Sequence, residues 1–182
     1  MALAKKMQTI NILLRSSTHS TDSIEYSLLV QNNQIQITPE YWSGSPYDET
    51  IGATRISNLR GYRVRIDLSY NASREYVTRN VSGGSYSAST YRSLFNEILF
   101  CYANGIMPIG SNVPFIALNV RILTDSGSTV IQNSSGDFYG FVPESMSYVQ
   151  QYSNQIGRFI PAISLVSENL LTEIPSSLQG VL

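Results

Sequence analysis

Between Gly61 and Tyr70 the residues Tyr62, Val64, Ile66, Leu68 and Tyr70 alternate with Arg63, Arg65, Asp67 and Ser69. A period of two puts the first set on one face of a strand and the second on the other, which predicts a half-buried β-strand. The same kind of patterning predicts strands at Thr9 to Arg15, Ile24 to Val30 and Gln34 to Thr38, the last two joined as a hairpin through Gln31, Asn32 and Asn33. A second hairpin is predicted from Phe115–Leu123 and Ser128–Gln132, because Asp125, Ser126 and Gly127 between them favour chain reversal. Asp137–Val142, Met146–Tyr152 and Phe159–Ser167 complete the set. Pro161 lacks a backbone donor, so its strand is placed at an edge or given a bulge.

One segment departs from period two. Tyr91, Leu94, Phe95, Ile98, Leu99 and Tyr102 recur at helical spacing and predict an amphipathic helix over about 89–104. Ser87 or Ser89 can cap its start, Gly105 can end it in the left-handed conformation, and Pro108 blocks continuation. Such a stripe needs an apolar surface beneath it. The expected fold is therefore mainly β, an antiparallel barrel or sandwich with this helix packed on a sheet. One domain is expected over 1–168, followed by an apolar C-terminal arm over 169–182. In that arm Leu170, Leu171, Ile174, Leu178, Val181 and Leu182 are interrupted for helix formation by Pro175 and Gly180, which favours an arm docked on a neighbour over a short covering helix. Two long connections, Tyr41–Ile56 and Asn71–Ala88, are read as loops or hairpin extensions.

Composition narrows the function. Of the 182 residues only 14% are charged, against roughly a quarter in an average globular domain, while 12 are Tyr. Tyr buries area and keeps one hydrogen-bonding tip, so this texture resembles a contact surface. A net charge of -1 gives no general reason to bind nucleic acid. With no apolar run of membrane-spanning length and no signal-peptide pattern, synthesis in the cytoplasm is expected.

Candidate chemistry is sparse. His19 is the single histidine and Cys101 the single cysteine, which excludes an intramolecular disulfide and a site of several His or Cys ligands. Cys101 falls on the predicted helix and reads as a small buried hydrophobe. The acids Asp48, Glu49, Asp67 and Glu75 show no pairing that would mark a glycosidase, and Gly83-Gly84 lacks the Lys of a phosphate loop. The sequons at Asn71, Asn80 and Asn133 are expected by chance in so Ser-, Thr- and Asn-rich a chain. No cofactor or metal is expected. The aromatic cluster Tyr41, Trp42 and Tyr47 beside Asp48 and Glu49 reads first as an anchor to the domain or a neighbouring subunit, and second as a platform for a sugar ring.

The strand Gly61-Tyr62-Arg63-Val64-Arg65-Ile66-Asp67-Leu68 leads through a polar insertion to the helix at Tyr91–Tyr102, then to paired strands and the final Phe159–Ser167 strand. This layout, over roughly residues 5–168, resembles phage tail tube, distal-tail and baseplate-hub proteins. The resemblance is one of layout and texture, so no functional residue is carried over from it. It implies a virion protein, made in the host cytoplasm, that forms a trimeric or hexameric ring with copies of itself and meets neighbouring tail proteins, with no membrane and no specific nucleic acid. The subunit contacts are then expected at Tyr41, Trp42, Tyr47, Leu170, Leu171 and Ile174. The alternative is a carbohydrate- or receptor-binding β-sandwich that uses the Trp42 loop.

Overall fold

The computed structural model describes residues 7–16, 23–29, 34–41, 48–51, 54–56, 59–69, 76–110, 112–125, 127–131, 139–153, 156–175 and 178. Within them the chain is mainly β with one helix. The strands are β1 (Met7–Arg15), β2 (Ser23–Leu29), β3 (Gln34–Tyr41), β4 (Asp48–Ile51), β5 (Thr54–Ile56), β6 (Leu59–Ser69), β7 (Tyr76–Val81) and β8 (Ser87–Thr90), followed after the helix α1 (Tyr91–Asn104) by β9 (Ala117–Thr124), β10 (Gly127–Val130), β11 (Phe141–Ser153) and β12 (Ile156–Ser167). The described strands pair antiparallel in the order β3-β6-β12-β11-β9-β1-β2-β7-β8, with β10 also on β9, while β4 and β5 pair with each other.

The order does not return on itself, so the sheet is open and the barrel alternative gives way to a sandwich-like arrangement. The reason lies at β9. One side of β9 pairs with β1 along its length, while the other pairs with β10 at 121–124 and with β11 only at Phe141↔Leu118. Among the described residues that single pair joins two leaves. The alternation seen in sequence puts Ile10, Ile12, Leu14, Ile24, Tyr26, Leu28, Leu118, Val120 and Ile122 of one leaf in the same cluster as Val64, Ile66, Leu68, Ile163 and Leu165 of the other. Full burial of one such aliphatic side chain stabilises by about 2 kcal/mol.

The helix lies in that shared core. Its start is capped by Thr90, whose side chain accepts from the Ser93 N–H, and not by Ser87 or Ser89. Those two serines are paired in β8, which runs directly into the helix. Gly105 ends it at φ 67, in the left-handed region, with its N–H bonded to the Cys101 carbonyl. Leu94, Phe95, Ile98 and Cys101 are buried, whereas Leu99 is 45% exposed. The covered stripe is thus narrower than the sequence pattern, with Cys101 inside it and Leu99 on its flank.

Several predicted pairings change. β2 and β3 do not form a hairpin: β2 lies between β1 and β7, and β3 pairs with β6. The register explains it, since β3 sets Ile35 opposite Ile66 and Ile37 opposite Val64, matching the apolar face of β6. The reversal at Asp125–Gly127 does join a hairpin, β9 to β10. Asn71–Ala88 holds β7 and the turn at Ser82-Gly83 that returns the chain into β8. Met146–Tyr152 and Phe159–Ser167 are halves of one long hairpin, while 132–138 lie outside the described residues.

The C-terminal segment is seated on its own chain. The Leu171 N–H donates to the Tyr62 carbonyl at 2.9 Å, and the Tyr62 N–H donates to the Leu171 carbonyl at 2.8 Å. Leu171 and Leu178 are buried in the core cluster. A strand edge and an apolar surface of the same molecule thus take up the described part of the arm, in place of the expected neighbour. Gly61 permits the approach, because a Cβ there would stand 2.7 Å from the Leu171 carbonyl oxygen. Gly61→Ala is expected to displace this segment and cost about 1–3 kcal/mol, the usual range for overpacking. Denaturant unfolding measures the loss, and amide exchange should accelerate at Leu171 and Tyr62 more than at Ile12.

Candidate functional site

Among the described residues, two part-buried polar clusters combine acids and bases, and both act within the fold. Beneath the helix, Arg79 of β7 donates to Glu97 of α1 through Nη2 at 2.9 Å and Nε at 3.3 Å. The Arg79 guanidinium also lies 5.9 Å from the centre of the Tyr26 ring. Burial, then the charge of Glu97, holds the Tyr26 phenol well above its ordinary range. This two-toothed ion pair fixes the helix to the β2–β7 side of the sheet. On the other face of that leaf, Glu25 accepts from Asn11 and from Arg121 at 2.9 Å, and Ser27 donates to Asn11 at 2.9 Å. Asn11, Ser27, Glu25 and Arg121 come from β1, β2 and β9, so the cluster ties three adjacent strands.

Cys101 stands one helical turn from Glu97 of the first cluster. Among the described residues no group of three His, Cys, Asp or Glu is placed to hold a metal. Cys101 is fully buried, and burial followed by the charge of Glu97 pushes its thiol up to about 12. A thiol held neutral in this way packs as an apolar group. His19 lies outside the described residues.

Of the expected contact residues, the structure describes four. Tyr41 ends β3, paired with Leu59, while Trp42 and Tyr47 lie outside the described residues. Leu171 is 1% exposed and faces its own core, so it is not a surface for a neighbour. Leu170 is half-buried and Ile174 is exposed.

Sequence reasoning placed strands at Met146–Tyr152 and Phe159–Ser167 but missed that they pair as one long ribbon, β11 with β12. The two strands pair from Phe141↔Ser167 to Ser153↔Ile156. β12 also pairs with β6, but only over Ala162–Val166, and β11 meets β9 only at Phe141. From Tyr148↔Pro161 outward, the ribbon therefore runs past the described parts of β6 and β9 with no described strand on either side. Tyr148 and Val149 lie at its base, 53% and 55% exposed, with the Tyr148 ring edge-on to Phe95 of the helix at 5.7 Å. The signal in sequence was faint: Ser145–Ser153 carries no charge and no proline, yet shows no clean apolar alternation.

Compared with family models, with curated proteins and with solved structures, the chain matches none.

Alkaline stability follows from the buried thiol. With its folded pKa raised from an ordinary 9.0 to about 12, Cys101 contributes fully below pH 9 and its contribution is lost as pH rises from there towards 12. The unfolded chain releases the proton in that window and the folded chain does not, so the loss approaches about 1.4 kcal/mol per pH unit. Cys101→Ala is expected to flatten the fall in unfolding free energy between pH 9 and 10, below the onset for the buried tyrosines. Denaturant titrations at each pH measure the slope.

Proposed function

We propose that the chain is a non-enzymatic structural subunit of a phage tail or similar tubular assembly, joining copies of itself through its sheet edges. The observation that carries this reading is the β11–β12 ribbon, which continues past the described strands that flank its base. An isolated two-stranded hairpin is marginal in water, and three or more strands are needed for independent stability. A ribbon with no described strand beside its outer part gains neighbours when another subunit lies beside it.

The rest of the chain suits the same role. Low charge removes the desolvation cost of bringing two such surfaces together, and Tyr148 and Val149 offer apolar area at the ribbon's base. The polar clusters at Glu97 and Glu25 support strands and helix. The C-terminal segment carries no part of the contact through Leu171, because that residue packs inside its own subunit.

The purified chain is expected to form a cyclic oligomer, a trimer or hexamer, whose population rises with protein concentration. Light scattering and sedimentation velocity measure it. A strict monomer at high concentration that also fails to join neighbouring tail components would overturn the proposal.

A further inference from the structure

We draw no further inference here: the strongest candidate, the apolar patch on the flank of α1 formed by the exposed residues Leu99 and Tyr102 with Tyr148 of β11 against Phe95, carries nothing because nothing in the structure shows what covers it.

Discussion

Each strand has two hydrogen-bonding sides, and the architecture turns on how β9 divides its second one. Its first side is given to β1 along its length. The turn through Gly127 brings β10 back onto 121–124 of the other side, so β11 can pair only at Leu118 before it must diverge. That divergence makes two leaves from one sheet and leaves a gap for α1 to fill. It also sends β11 and β12 out beyond the strands that flank their bases. Had β10 been absent, β11 could have followed β9 further and the two leaves would have been more nearly one continuous surface.

The helix then couples what β9 separates. On one flank Glu97 takes the Arg79 fork from β7. On the other, the Tyr102 hydroxyl donates to the Phe141 carbonyl, its ring packs on Phe115, and Phe95 meets Tyr148. Leu94, Ile98 and Cys101 fill the space between. The helix thus works as a wedge with polar clamps on both sides, and its burial is shared between leaves. This accounts for Leu99 lying partly exposed although it belongs to the apolar stripe: the two leaves cover only the angular range that includes Leu94, Ile98 and Cys101.

What the sequence made legible was local. The alternation in β6, the helical stripe, the Gly105 stop and the Gly127 turn each depend on residues a few positions apart, where backbone sterics and side-chain period act directly. Partner choice was not legible, because it depends on registers between distant segments. Asn32 and Asn33 look like a turn, yet β3 is held by Ile66 and Val64, far along the chain. Thr90 was passed over as the cap because Ser87 and Ser89 satisfy the same chemistry, and only the start of the helix at Tyr91 puts Thr90 in the capping position. Leu171 read as an exposed arm because nothing in sequence signals that Gly61 leaves room for its carbonyl. For the candidate site, the aromatic residues at Tyr41, Trp42 and Tyr47 drew attention by type, while the ribbon is marked by what it lacks.

That contrast between edges gives the ribbon its meaning. β8 ends one side of the sheet with only four residues. β3 ends the other and carries Pro39, with Glu40 paired to Arg63. Where β12 stops covering β6, Leu171 takes over at Tyr62, and Pro161 removes a donor where β6 stops covering β12. Short length, proline, charge and a covering segment are the usual means by which a sheet is prevented from pairing with other chains. Beyond Glu144, the β11 run Ser145–Ser153 has none of them. The run thus differs from β3 in its lack of charge and proline, and from β8 in its length.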